Sequence, residues 1–491
     1  MYPSAFCLLP SAFCFFSPRL SALCPRRGEA PSHYNVPVKG QHAILMVEYS
    51  YNRYSLAVLT GILEADGRFE DLDIHFRKAA KKDRLDDDRH EELLQNIIQL
   101  AKAYRRLVVA FSFHTPNVAA MGYTLKAIRQ ALQDQSIDNV VIIAGGPHPS
   151  GDPLGTVQLG VDVVVLGEAE GTLPDLLERI YQDRGFEDLK GIAFLDSQKK
   201  YRFTGRAPAV DLNDHPPFSV KSRRFAPLEI GRGCAFACSF CQTPFLMGAK
   251  MRYRSVDNIL HWAQQGKDAG FRDLRFLTPT AFTYGSVDGQ TLHLDLLEDL
   301  LKGVSRIFGK EHVFFGSFPS EVRPETVNHQ TLSLVKKYCT NDNIIIGAQS
   351  GSDRMLKEVH RGHGTGEVEE AVCLLLEYGY QANVDFIFGM PGESEEDIAQ
   401  TLEFMLKLTR MGARVHSHTF MPLVGTPLSN AAPGIVSPAV RKMLEELRLL
   451  GLEYGHWKQQ EMIAKESTNF LEDLAEERPE ELKGVRAFKR Q

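Results

Sequence analysis

Leu228-Glu-Ile-Gly-Arg-Gly-Cys234-Ala-Phe-Ala-Cys238-Ser-Phe-Cys241 is a short apolar strand that runs into two glycines and then three cysteines. In parallel sheets, ligands gather at the carboxyl ends of strands, so the stretch predicts a parallel α/β layout with its chemistry on one rim. Gly231 and Gly233 allow the curl that brings three sulfurs to one point, because a residue without Cβ takes dihedrals that bulkier residues refuse.

Outward from this stretch toward the C terminus, short Val-, Ile- and Leu-rich runs recur at 274–277, 313–316, 344–347, 384–389 and 415–420. With 228–230 they make six strand-helix units, a partial (β/α)6 to full TIM-like barrel over 226–430. Toward the N terminus, runs at 43–47, 72–76, 107–111, 140–144 and 161–166 alternate with helical stretches such as 54–65 and 91–104. In the second helix Leu93, Leu94, Ile97, Ile98 and Ala101 share one face. Five such units predict a flavodoxin-like, doubly wound domain over 41–200, with ligand-binding loops at 112–117, 145–152 and 167–172. A Pro- and Asp-containing stretch at 207–217 marks a linker over 201–225, and 431–491 reads as a charged helical extension whose faces are solvated.

A chain of 491 residues holds two or three domains, and a net charge of -6 gives no basic field, so a nucleic acid partner is not favoured. Eight cysteines are too few and too uneven for a disulfide framework, which points to a reducing, cytoplasmic setting. No apolar run reaches the roughly 18 residues of a membrane span, so no membrane association is expected. Residues 1–40 are separate: Pro3-Ser-Ala-Phe-Cys-Leu-Leu9 is nearly repeated by Pro10-Ser-Ala-Phe-Cys-Phe-Phe16. This low-complexity leader is expected to be disordered, with no role for Cys7, Cys14 or Cys24, and prolines interrupt it where a signal peptide would be apolar.

Three cysteines suit a 4Fe-4S cluster, in which the fourth iron stays open to a further ligand. The alternative is zinc in a closed tetrahedral set, which needs a fourth Cys or His. No second CxxC or HxxxH stands nearby, and Cys339 and Cys373 lie singly in predicted helices, where a lone cysteine is more often a small buried hydrophobe.

The C-x3-C-x2-C spacing, with Phe240 before the last cysteine, resembles the radical SAM superfamily over residues 228–428. Ile346-Gly-Ala-Gln-Ser-Gly-Ser352, Phe386-Ile-Phe-Gly-Met-Pro-Gly-Glu393 and Met421-Pro-Leu-Val-Gly-Thr-Pro427 are similar to that family's later motifs. The resemblance implies that Cys234, Cys238 and Cys241 hold a 4Fe-4S cluster and that the open iron chelates S-adenosylmethionine (SAM). An electron from an external one-electron reductant then splits the sulfonium to a 5'-deoxyadenosyl radical that acts on a small-molecule substrate. It places Phe240 by the adenine, offers Ser320, Arg323 and Gln349 to the carboxylate and ribose, and adds Ser350, Gly389 and Met390 from the matching motifs. Where many members carry a G-G-E-like segment for the SAM amino group, this chain has Thr278-Pro-Thr-Ala-Phe282, which leaves backbone carbonyls or Thr280 for that contact.

Val141-Ile-Ile-Ala-Gly-Gly-Pro-His148 and Val163-Val-Val-Leu-Gly-Glu-Ala-Glu-Gly-Thr172 resemble the cobalamin-binding domain that precedes many radical SAM cores. The resemblance implies cobalamin contacts from Ser112, Gly145, Gly146, Gly167 and Glu168. The D-x-H-x-x-G loop that gives some such domains a cobalt ligand is missing: Asp73-Ile-His75 lies inside a predicted strand and Lys78 replaces the glycine. The resemblance implies that cobalamin, if bound, is held without a histidine ligand; the alternative is a relic domain with no cofactor. The implied activity is a cobalamin-dependent methyl transfer, with a methyl-free rearrangement or cyclisation as the alternative. A non-catalytic iron-sulfur or zinc protein is the reading from another class, and tRNA methylthiolation would require a further cluster domain and a basic module, neither visible in the sequence.

Overall fold

The computed structural model describes residues 40–79, 87–478 and 482. Almost all of the expected leader, with its three cysteines, lies outside the described residues.

Seven strands form the N-terminal sheet: β1 (His42–Glu48), β2 (Asp73–Lys78), β3 (Arg106–Ser112), β4 (Val140–Gly145), β5 (Val163–Val165), β6 (Ile192–Leu195) and β7 (Tyr201–Phe203), in the order β2-β1-β3-β4-β5-β6-β7. The first five are parallel, as the apolar runs imply, and the last two add antiparallel at one edge. Ala43, Leu45 and Val47 enter one core while Ile44 and Met46 enter the other. Burial on both faces is why the strand reads as continuous rather than alternating. The antiparallel pair corrects one expectation: Tyr201–Phe203 was assigned to the linker but is a strand, so the connecting segment starts after it. His75 sits in β2, as expected of a strand histidine, and its Nε2 lies 2.9 Å from the Tyr104 hydroxyl.

The second half is an arc of parallel strands: β8 (Leu228–Glu229), β11 (Leu274–Leu277), β12 (Val313–Phe314), β13 (Asn343–Gln349), β14 (Gln381–Phe388), β15 (Arg414–Thr419) and β16 (Glu453–Gly455). The short pair β9 (Gly231–Arg232) and β10 (Arg252–Tyr253) is antiparallel and lies beside the cysteine loop. β8, β11 and β12 make one sheet, β13 to β16 another, and a parallel bridge from Val322 to Ile346 joins them. β8 and β16 are not paired, so the arc is a partial barrel. Two features correct the sequence reading. The extension from 431 contributes β16 rather than helices alone. The helix Trp457–Glu476 is also not a solvated cover, because Phe470, Leu471 and Leu474 pack against the N-terminal core. Gly122 makes room for this contact, since a Cβ there would stand 2.4 Å from the Phe470 ring.

Candidate functional site

β8 delivers the chain to the cysteine loop, and β9-β10 folds the far side of the loop back onto it. Gly233 has φ 85°, and a Cβ on it would stand 2.3 Å from the Lys250 carbonyl oxygen, so the loop closes only with glycine here. Gly231 serves by packing against Tyr253 instead. Cys234 N–H donates to the Gly248 carbonyl at 3.1 Å and Cys241 N–H to the Cys238 carbonyl at 3.0 Å. The three thiols line one pocket together with Phe240, Thr280, Glu321, Arg323 and Arg361. Burial, and then the neighbouring cysteines, push the Cys241 thiol up to about 12; burial also pushes Cys234 to about 11. Such thiols are protonated until a metal centre draws the protons off. The pocket offers no fourth Cys or His: Cys339 is buried at the end of the helix His329–Tyr338, and Cys373 is exposed on the helix Thr365–Glu377. This donor set fits a 4Fe-4S cluster with one open iron better than a closed zinc site.

The pocket wall carries charge that the spacing of motifs did not announce. Arg361 is buried; its guanidinium donates to the Gly347 carbonyl at 2.7 and 3.2 Å, stands 3.8 Å from the Cys238 sulfur and pairs with Glu321 at 3.7 Å. Arg323 lies 3.4 Å above the Phe236 ring and donates to the Arg361 carbonyl at 2.6 Å. Gln349, at a register shift in β13, has φ 75°, and neither its amide nitrogen nor its oxygen has a hydrogen-bond partner. A buried amide left unpaired in a left-handed conformation is costly to fold. A Cβ on Gly347 would lie 2.4 Å from Arg361, 2.6 Å from the Gln349 amide nitrogen and 2.8 Å from Glu321, so these three groups converge on one backbone point.

The remaining expected SAM contacts divide. Phe240, Thr280 and Arg323 line the pocket, and Thr280 bonds the Thr283 hydroxyl at 2.5 Å. Met390 packs with Cys238, Phe240, Ile387 and Phe420 in an apolar cluster. Ser320 is turned away, with its hydroxyl donated to the Phe276 carbonyl at 2.7 Å. Ser350 accepts from Ser352 N–H at 3.2 Å and so shapes its own loop, while Gly389, with φ 73°, donates its N–H to Glu393 at 2.9 Å. The sequence reading passed over Glu321 and Arg361. Glu321 stands between two chosen residues, and Arg361 precedes a Gly-His-Gly whose first glycine has φ 80°.

The strand-end loops of the N-terminal sheet face this rim. A Cβ on Gly151 would meet the Val424 carbonyl at 2.6 Å, and one on Gly167 would approach the Leu246 carbonyl at 3.9 Å. Of the expected cobalamin residues, Ser112, Gly145 and Gly146 sit at the ends of β3 and β4. Gly146 (φ 97°) lets the two loops close up, since a Cβ would lie 2.8 Å from the Ser112 hydroxyl. Gly167 donates its N–H to the Ser150 hydroxyl at 2.8 Å. The Glu168 carboxylate is spent elsewhere: it pairs with Arg232 at 3.1 Å and with Arg252, and accepts from Val210 N–H at 3.2 Å. Arg232 is also held by Glu170 at 2.5 Å and Glu229 at 2.7 Å, so the loop after β5 is tied directly to the strand that precedes Cys234. Between these loops His114 is buried with both ring nitrogens unpartnered, and His148 is buried with Nε2 unpartnered. Buried polar atoms of this kind at the ligand edge of a doubly wound sheet fit a large polar cofactor bound there.

Fold and site together define a two-part α/β protein: a doubly wound domain set across the rim of a parallel β/α arc that carries three metal-ready thiols. Residues 228–405 match the model of the radical SAM superfamily and residues 43–177 that of the B12 binding domain. The chain thus carries a B12-binding domain ahead of a radical SAM domain, and the cofactors of such domains are cobalamin and, for the second, a 4Fe-4S cluster and SAM. A putative methylthiotransferase of Methanocaldococcus jannaschii is 27% identical over 249 residues, 51% of this chain and 54% of that protein. The chain thus spans about half the length of that relative. Among solved structures, the radical SAM methyltransferase TsrM from Kitasatospora setae, with cobalamin and a [4Fe-4S] cluster bound, matches with a TM-score of 0.60 at 16% identity, over 80% of this chain and 74% of that one. The cobalamin-dependent SAM radical enzyme OxsB matches with a TM-score of 0.56 at 17% identity, over 75% and 52%. Among the described residues no helix is long and apolar enough to cross a membrane.

Proposed function

We propose that the chain is a cobalamin-dependent radical SAM enzyme that transfers a methyl group to a small-molecule substrate, drawing electrons from an external reductant in a reducing, cytoplasmic compartment. The observation that carries this reading is the meeting of three thiols that line one charged pocket, at the rim of the arc, with the strand-end loops of the B12-binding domain. When bound, the cofactors supply homolytic cleavage of SAM and a methyl-carrying cobalt. Cys234, Cys238 and Cys241 would hold the cluster. Arg323 and Arg361 put positive charge where a carboxylate binds, Glu321 offers an acceptor for an ammonium, and Gln349 has a donor and an acceptor for a ribose or carboxylate. Phe240, Met390, Ile387 and Phe420 keep water from the same corner, which protects a radical from quenching. The domains follow the same reading: a B12-binding part from 41 through β7, a linker to 225, a radical SAM core to 430 and an extension beyond it.

The methylthiotransferase name of the archaeal relative favours a second reading, in which sulfur is inserted as well as methyl transferred. That chemistry needs a further sulfur source, and outside the pocket the described residues hold only the separate Cys339 and Cys373. Anaerobic reconstitution with iron and sulfide, followed by SAM and dithionite, tests the proposal. Wild type is expected to form 5'-deoxyadenosine and Cys238→Ala none. With cobalamin and substrate present, S-adenosylhomocysteine should appear as well. A cluster-loaded wild type that forms no deoxyadenosine overturns the radical reading, and deoxyadenosine without S-adenosylhomocysteine replaces methyl transfer by rearrangement or cyclisation.

A further inference from the structure

We propose that Asp385, His416 and His418 form a mononuclear site for a divalent transition-metal ion of the zinc type, inside the arc and apart from the three cysteines. The site starts from strand alternation. Val384, Phe386 and Phe388 of β14 pack into the core shared with the surrounding helices, where Phe386 meets Phe404 edge-on at 6.4 Å. Asp385 and Ile387 therefore face the inside of the arc, and Ile387 packs there with Cys238 and Phe240. In the parallel register Asp385 lies beside His416 and Ile387 beside His418, so both histidines of β15 share that inner face. The three side chains are 0 to 3% exposed, and one ligand atom from each falls within 4.8 Å of the others. None of the three lines the cysteine pocket.

The second argument is a conflict of hydrogens that a cation resolves. The Gln460 carbonyl accepts from Thr419 N–H at 2.8 Å, which turns its amide nitrogen to His418 Nδ1 at 3.1 Å. A neutral His418 then carries its hydrogen on Nε2, 3.2 Å from His416 Nδ1, and Asp385 Oδ1 lies 2.9 Å from that same His416 nitrogen. If His416 Nδ1 is bare, its lone pair faces the carboxylate; if it is protonated, its N–H faces that of His418. Either way one contact is repulsive. A divalent ion among the three atoms makes each of them a lone-pair donor, and two imidazoles with a carboxylate are a donor set that zinc takes. Ligand atoms on a tetrahedral zinc stand about 3.4 Å apart, close to the 2.9 and 3.2 Å found, and the fourth position is left to water. Tyr454 stacks on His416 at 4.4 Å between centroids and 8° between planes, and so fixes the ring. Binding moves the His418 hydrogen to Nδ1 and turns the Gln460 carbonyl toward it, so that one hydrogen bond from Thr419 is exchanged for bonds to the metal. The competing occupant of the same point is a proton.

For the test, the full-length protein is reconstituted with iron and sulfide, so that the thiols are occupied, and is then exposed to Zn2+ and desalted. Metal analysis is expected to find one zinc per chain with the iron content unchanged. Zinc X-ray absorption should show nitrogen and oxygen neighbours, imidazole scattering and no sulfur. Asp385→Asn and His416→Ala should each weaken zinc binding by about tenfold or more in competition with a chelator. Gln460→Glu offers oxygen to both Thr419 N–H and His418 Nδ1–H, so it should hold zinc severalfold tighter. The wild-type absorption spectrum and the Gln460→Glu gain remove no ligand, so they stand even where His416→Ala fails to fold. A cluster-loaded wild type that retains no zinc overturns the site and leaves the proton as its occupant. Sulfur around the zinc also overturns it, because the ion is then at the cysteines, and so does zinc held equally by wild type, Asp385→Asn and His416→Ala.

Discussion

Single residues of the site answer to the cost of leaving a buried polar group alone. Arg361 satisfies the Gly347 carbonyl and pairs with Glu321 in the interior, so Arg361→Gln should take a buried cation away from both acceptors and destabilise the cluster-free protein by about 3 kcal/mol, measurable by urea unfolding. Glu393 works in the opposite sense. Burial raises its pKa from 4.5 to about 7, so the folded chain keeps a proton that the unfolded chain releases. Its contribution is fully present below pH 4.5 and is lost as the pH rises to about 7, after which it stays constant. Glu393→Gln should remove that slope: the melting temperature of wild type falls relative to the variant between those two pH values. The cysteines were legible in the sequence because their partners are a few residues away. Arg361 and Glu321 were not, because what makes them a pair is the adjacency of two strand-end loops that lie forty residues apart.

At the level of elements, backbone conformation decides what the side chains reach. The cysteine loop turns on Gly233, with φ 85° and the Lys250 carbonyl where a Cβ would be. Gly233→Ala should therefore leave the secondary structure as it is while cutting iron uptake severalfold on reconstitution, read by circular dichroism and iron analysis. The helix Glu395–Met411 begins with a capping box in which Ser394 accepts from Asp397 N–H at 3.3 Å and the Asp397 side chain accepts from Ser394 N–H at 2.8 Å. Losing the serine cap in Ser394→Ala is expected to cost about 1 kcal/mol in thermal or denaturant unfolding. Apolar runs of five or six residues betrayed most of the parallel strands. The strands that escaped, β6, β7, β9, β10 and β16, are two to four residues long and are defined by their partners.

On the scale of the molecule, two devices join the halves. One is the ion cluster of Glu168 and Glu170 with Arg232 and Arg252, nearly all of it withdrawn from water. The other is the C-terminal helix, whose Phe470 reaches the N-terminal core. Glu168→Gln keeps the shape and removes the charge, so it should loosen the contact. Trypsin is expected to cut the segment holding Lys221, Arg223 and Arg224 severalfold faster than in wild type, with iron uptake unchanged. The motif that contains Glu168 reads in the sequence as a ligand loop, and the folded chain shows that its carboxylate grips the other domain.

By itself the sequence determined the two α/β halves, the strand-end placement of the cysteines and their number, because hydrophobic runs and thiol spacing are local properties of a chain. The tertiary structure decided the open arc, the convergence of Arg361, Glu321 and Gln349, the spending of Glu168 on Arg232 and Arg252, and the isolation of His114. Each of these depends on which distant segments share a dry interior, where an unpaired charge or ring nitrogen is costly and its partner, or the want of one, becomes visible.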